Sequence, residues 1–184
     1  YNAINKGLKI ATGDIISLLH GNDVFAHKRV INDVVNYFIE YHKVDLLIAD
    51  VAFKKNFLAD DTVRYYPSKL FKPWLLRFGY SPPHLSTFFS RKVINVVGLY
   101  DENFMIAGDF EYFVRCILIN NLNFKLINRC YIFMSTGGLS NKSLKSYYIS
   151  SKEINYALKK NNFYSNILIT FLRFPLKFIQ YIFK

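Results

Sequence analysis

With 184 residues, 52% of them hydrophobic and 18% aromatic, the chain suits one folded domain with a real core and excludes a disordered polypeptide. Lysine and arginine number 24 against 13 acidic residues, a net charge of +11, which favours anionic company: phosphorylated small molecules, an anionic membrane face or nucleic acid. The two cysteines, Cys116 and Cys130, belong to no Cys-x-x-Cys pair and no Cys/His cluster; this argues against a zinc site and for reduced core thiols in a cytosolic protein.

The opening residues are polar and helical in pattern, unlike a signal peptide. Residues 2–11, NAINKGLKIA, set Ala3, Ile4, Leu8 and Ala11 on one helical face, with Gly13 as a stop. Residues 14–19 read as a short buried strand. It runs into LLHGNDVF, residues 18–25, which delivers one carboxylate, Asp23, into a tight polar turn. Two readings stand at this point. Asn22-Asp23 is ordinary turn chemistry, with Asp23 able to cap the next helix. Alternatively, Asp23 lies beyond the carboxyl end of a strand, where open α/β sheets hold ligands, and grips a divalent metal through a hard oxygen.

Residues 28–42 are helical by period, with Val30, Ile31, Val34, Val35, Phe38 and Ile39 apolar, and 44–53 is the next strand. Asp60-Asp61 marks a turn before an edge strand over 62–66. A short helix is expected over 70–78, a break at Ser81-Pro82-Pro83, extended chain over 85–89, a helix over 110–119, a strand over 124–133 and a basic helix over 141–160. Strands alternating with helices predict α/β layers around a mixed sheet. No internal repeat appears.

The tail, 165–184, is SNILITFLRFPLKFIQYIFK. Its polar residues Asn166, Thr170, Arg173, Lys177, Gln180 and Lys184 recur in steps of four and three, one narrow stripe on a helix, with a kink expected at Pro175. Three cations argue against a bilayer span. A helix lying in the interface, cations toward anionic headgroups, is the expectation; docking on the protein's own core is the alternative.

Three more places carry chemistry-bearing groups. His84 sits in the rigid, hydroxyl-bearing segment SPPHLSTFF, where it is either a structural or a reactive histidine. Asp109 follows Ala107-Gly108 and precedes an amphipathic run, as either a helix cap or a carboxylate available for general-base work. Gly137-Gly138 lies in MSTGGLSN, a loop type able to close over phosphates.

In the order NAINKGLKIATGDIISLL…ND, PHLSTFFSRKVINVVGLYDENFMIAGDFEYFVR and STGGLSN, the chain resembles a family 2 glycosyltransferase of the GT-A fold, most like bacterial enzymes that build lipopolysaccharide, capsule or exopolysaccharide. The resemblance runs from Tyr1 to about Asn141. It implies a nucleotide diphosphate sugar donor, a saccharide or lipid-linked saccharide acceptor, a divalent cation (Mg²⁺ or Mn²⁺) and a place at the inner face of the plasma membrane. It implies that Asp23 is the remaining aspartate of the metal-binding acidic motif, which here reads His20-Gly21-Asn22-Asp23, with Asn22 offering a neutral oxygen where the family usually has a second carboxylate. Asp109 matches the base that deprotonates the acceptor hydroxyl in inverting members, and His84 a histidine of the active-site face. Gly137, Gly138 and Ser140 match the flexible segment near the donor diphosphate, and Asn5 and Lys6 an amide and a cation beside the donor pocket.

Family members begin with a strand, a helix and a second strand that hold the nucleotide. The expectation is therefore that residues 1–163 are the back portion of a GT-A domain whose first strand, 15–19, lacks a neighbour, followed by an amphipathic tail over 164–184. The rival reading is an inactive transferase fragment or a membrane-associated scaffold. Nucleic acid is not expected as a partner, since the basic residues are scattered and no recognition motif is present.

Overall fold

The computed structural model of the chain describes residues 1–58, 61–135 and 144–180. Its centre is β3 (Leu46–Lys54), buried along nearly its whole length. Side chains alternate across a strand: Leu46 and Ile48 enter the larger core on one face of the sheet, Leu47 and Ala49 the smaller core on the other. That is why the run 46–49 is apolar without a break, as expected of a strand covered on both faces.

The first half of β3 pairs antiparallel with β5 (Thr87–Ser90), and β5 pairs antiparallel with β1 (Ile15–Ser17). Further along the same side, β3 pairs antiparallel with β4 (Thr62–Tyr66). On its other side it pairs in parallel with β6 (Phe124–Ser135), which ends against β2 (Val24–Phe25). The strand order β1-β5-β3-β6-β2 is a mixed sheet in which β1, β3 and β6 run the same way. Among the described residues β1 pairs only with β5, so its other edge is open. A recess of about 700 Å³ lies at the end of the sheet where β1, β3 and β6 begin, lined in part by Asp14, Asp45, Ser90, Asn123, Val35 and Phe38.

The smaller core is roofed by α2 (Val30–Glu40), whose Val30 and Val34 join Phe88, Ile127 and Tyr131 in it. The larger core takes α1 (Asn2–Ile10), α3 (Arg91–Val97), α4 (Gly108–Phe113) and α5 (Leu144–Lys160). Helix α4 widens without a break into a π-helical turn over Val114–Ile119. There the Arg115 guanidinium binds Glu111 and the carbonyls of Val97 and Leu99. Residues 70–78, expected as a helix, form tight 3₁₀ turns over Ser68–Leu70 and Pro73–Phe78 instead; prolines at 67 and 73 interrupt the backbone bonding a longer helix would need.

The tail departs most from expectation. It forms two short helices, α6 (Ile167–Phe171) and α7 (Arg173–Ile179), rather than one kinked at Pro175. Pro175 falls within the first turn of α7, where a missing N–H costs nothing because that N–H has no intrahelical partner. The polar stripe also faces the protein rather than the solvent: Thr170, Arg173 and Gln180 are 0% exposed, while Leu168 and Phe178 are 76% and 73% exposed.

Candidate active site

Strand β1 ends at Ser17, and the chain turns through His20 to Asp23 before joining β2. The turn is closed by the Asp23 amide donating to the His20 carbonyl at 3.0 Å. Strand β6 reaches the same place because it carries a bulge against β3: Ala49 faces Ile127, yet Val51 faces Ile132. Extra residues on one strand bend it, and the bend lets Phe133 pair with Val24. Asp23 therefore lies beside the end of β6, its Oδ1 accepting from the Ser135 amide at 3.2 Å. Helix α2 is capped at Arg29, so Asp23 is not its cap. Asp23 is 8% exposed. Burial pushes its carboxyl pKa up, opposed by the Ser135 N–H and the charge of His20.

His84 precedes β5, which runs antiparallel to β1, and so reaches the same end of the sheet. Its Nε2 is 2.8 Å from the Tyr100 hydroxyl, and its ring stands edge-on to Tyr100 and Phe113. Burial lowers its pKa from 6.5; the charge of Asp109 acts the other way, and His20 adds to the lowering. The imidazole is therefore neutral at pH 7.

Asp109 stands in the first turn of α4, half-buried. Its Oδ1 accepts from the Phe110 amide at 2.8 Å and lies 3.4 Å from the Tyr1 hydroxyl, while Oδ2 has no partner among the described residues. Tyr1 threads under the same turn: its hydroxyl donates to the Ile106 carbonyl at 2.8 Å and accepts from the Asp109 amide at 3.1 Å. Gly108 makes this possible, since a Cβ there would meet the Tyr1 ring at 2.7 Å. Tyr1, Tyr100 and Tyr112 stack in series, with centroids 5.7 and 4.1 Å apart, and burial raises all three phenol pKa values. From behind, Glu153 of α5 accepts the amides of Met105, Ile106 and Ala107, each at 2.8 Å, and so fixes the loop that delivers Asp109.

The fold thus gathers Asp23, His20, His84 and Asp109 at one end of the sheet, the end where the parallel strands β1 and β6 finish. His20 is felt by both Asp23 and His84, and Asp109 by His84. Of the other residues singled out from the sequence, Asn22 and Lys6 are exposed. Asn5 is buried as a latch: its amide donates to the Tyr100 carbonyl at 2.8 Å and to Glu102 at 2.9 Å, and accepts from the Tyr100 amide. Gly137, Gly138 and Ser140 lie outside the described residues. Sequence reasoning missed Tyr1, Tyr100 and Glu153. A glutamate in the middle of a basic helix carries no local mark of a structural role.

No protein-family model matches the chain, and no curated protein sequence does. Solved structures do. Residues 1–349 of Staphylococcus aureus TarS bound to UDP-GlcNAc share a TM-score of 0.59 at 16% identity, covering 84% of this chain and 45% of that one. The same portion with UDP gives 0.57 at 16% identity over 84% and 43%, and TarS in a longer form 0.59 at 15% over 85% and 27%. TarS is a glycosyltransferase. The fold is glycosyltransferase-like. The chain spans less than half the length of these neighbours.

Among the described residues no group of three or more His, Cys, Asp or Glu could hold a metal ion by itself. The turn after β1 offers one buried carboxylate, Asp23, and one exposed side-chain amide, Asn22. Such a set fits an Mg²⁺-like ion that takes most of its oxygens from substrate phosphates and water and only one or two from carboxylates. It does not fit an ion caged by protein alone.

Proposed function

We propose that the protein transfers a sugar from a nucleotide diphosphate sugar to an acceptor hydroxyl, in the synthesis of bacterial cell-surface polysaccharide. The observation that carries this reading is the carboxylate of Asp109: one oxygen is held by the Phe110 amide while the other has no partner among the described residues. A general base needs such an arrangement, orientation fixed on one side and a lone pair free on the other. Asp109 Oδ2 takes the proton of the acceptor hydroxyl. The acceptor oxygen forms a bond to the anomeric carbon as that carbon's bond to the diphosphate oxygen breaks, and the nucleoside diphosphate departs with the electron pair. Neutral His84, held by Tyr100, faces this space as a hydrogen-bonding wall that adds no charge beside the base.

Asp23 would hold a divalent cation together with the donor diphosphate, an ion that supplies positive charge where the leaving group gains negative charge. Asn22, Lys6, Gly137, Gly138 and Ser140 remain donor-side candidates by resemblance. The nucleoside end of the donor would approach from the open edge of β1. The membrane part of the reading rests on the outward face of the tail, where Leu168, Phe171, Leu172 and Phe178 are exposed on a chain of net charge +11. Among the described residues no helix is long and apolar enough to cross a bilayer, so association would be peripheral, by insertion of that apolar face.

The test is turnover of Asp109→Asn with a panel of UDP-sugars and Mn²⁺. Loss of a positioned general base should lower kcat by about 10² to 10⁴ while donor binding persists. Unchanged turnover refutes the assignment. Flotation with anionic liposomes tests the tail: a quadruple variant with Leu168, Phe171, Leu172 and Phe178 replaced by serine should stay in the unbound fraction.

A further inference from the structure

The inverted tail buries cations that a docking helix does not need. Gln180 is fully used: its Oε1 accepts from Arg64 Nε at 2.7 Å and also from Arg64 Nη2, its Nε2 donates to the Tyr80 hydroxyl at 3.1 Å, and its carbonyl accepts from the Tyr65 amide. Arg173 is not. It is 0% exposed, its Nη2 donates to Ser151 Oγ at 2.9 Å, and its Nε and Nη1 have no hydrogen-bond partner among the described residues. Its guanidinium lies over the Phe174 ring, centroid at 5.0 Å. Lys177, one turn on and partly buried, has no ion-pair partner among the described residues.

Lys177 is pushed down to a pKa of about 8, first by burial and then by the charges of Arg173 and Arg64; the acidic group acting on it in the other direction is Asp109. Lys177 thus lies within electrostatic reach of Arg173, Arg64 and Asp109. A buried unpaired charge is among the costliest features a fold can carry, and an unsatisfied buried group calls for an explanation such as a bound ion. The backbone here is also specialised. Gly79 has φ +81°, and a Cβ on it would meet Ile154 Cγ2 at 2.9 Å and lie 3.6 Å from Arg173 Cδ.

We propose that Arg173 and Lys177, backed by Arg64, form a seat for a phosphate group of the substrate. The chemistry is that of a phosphate mono- or diester: guanidinium and ammonium donors, with no carboxylate in an ion pair with Arg173 or Lys177 among the described residues. Two sources share this chemistry, the diphosphate of the donor and a phosphate carried by the acceptor. Its function as a substrate subsite rests on the reading of Asp109 as the transferase base, but its occupancy by phosphate does not.

Titration calorimetry of the 184-residue chain with bis(glycerol) phosphate and with UDP tests the seat. Expected is binding of at least one probe to the unaltered chain, weakened at least tenfold in Arg173→Gln and in Lys177→Met and kept in Lys177→Arg. Lys177→Met should at the same time melt higher, because it removes a partly buried charge that has no ion-pair partner among the described residues; a purely structural lysine would show the opposite. If bis(glycerol) phosphate still binds when UDP is saturating, the seat serves a phosphorylated acceptor. If UDP displaces it, or if UDP alone binds and does so through Arg173 and Lys177, the seat serves the donor. Asp109→Asn should retain or tighten phosphate binding, so an error in the base assignment would leave this result standing. Failure of both probes to bind, or equal affinity in all variants, overturns the seat.

Discussion

Replacing Glu153 with alanine removes the carboxylate that gathers three consecutive amides behind Asp109, at 2.8 Å each. A hydrogen bond to a charged group contributes about 1.5–3 kcal/mol, but Glu153 is itself only partly buried and the Met105 side recovers water, which discounts that bond. The sum is about 3 kcal/mol, and for a domain of this size each kcal/mol moves Tm by about 2–4 °C. Glu153→Ala should therefore melt about 6–12 °C lower. Glu153→Gln keeps one carbonyl oxygen for Ile106 and Ala107 and gives up the more exposed bond, so it should lose only about 1 kcal/mol. Amides 106 and 107 should exchange with solvent faster in the alanine variant. With Asp109 no longer preset, turnover should fall by about ten- to a hundredfold with little change in donor affinity. Scanning calorimetry and hydrogen exchange read the stability terms. An alanine variant melting within about 2 °C of the parent would refute the claim that these bonds hold the loop.

Three further outcomes are expected. Asp23→Asn keeps the acceptor for Ser135 and removes a buried charge whose pKa is raised in the fold. The folded state then binds protons more readily than the unfolded one, so the parent loses stability as pH rises through and above the ordinary carboxyl value of 3.8. The asparagine variant should be the more stable at pH 7, with the gain vanishing at low pH, and should lose Mn²⁺-dependent donor binding; calorimetry against pH decides both. His84, with a lowered pKa, works in the opposite direction: stability is lost as pH falls below about 6.5, because the unfolded state takes up the proton first. His84→Gln should flatten denaturation midpoints between pH 5 and 7, and an unchanged slope would show that the ring titrates normally. Gly79→Ala places a side chain at positive φ and against Ile154, and should cost about 1–3 kcal/mol in urea denaturation, whereas alanine at Gly98, also at positive φ but with open space, should cost less.

The sequence carried the elements and their periodicity. The unbroken apolar run at 46–49 is what a strand buried on both faces must have, and the step pattern of Asn166, Thr170, Arg173, Lys177 and Gln180 defined one helical stripe. Periodicity fixes which side chains share a face, but it says nothing of what that face meets. The stripe was expected to look toward lipid headgroups. It turns inward because Gln180 finds Arg64, Tyr65 and Tyr80, and Arg173 finds Ser151, partners contributed by strands and helices far away in the chain. Likewise each of Asp23, His84 and Asp109 could be read singly as a turn or cap residue. Their common location comes from the antiparallel pairing of β5 with β1 and from the bulge that bends β6 toward Asp23. Local patterns are set by neighbours a few residues apart, whereas a site is assembled by strand order and by the packing of helices on the sheet. Only the tertiary structure could bring the carboxylates of Asp23 and Asp109 and a neutral histidine to the same end of one sheet.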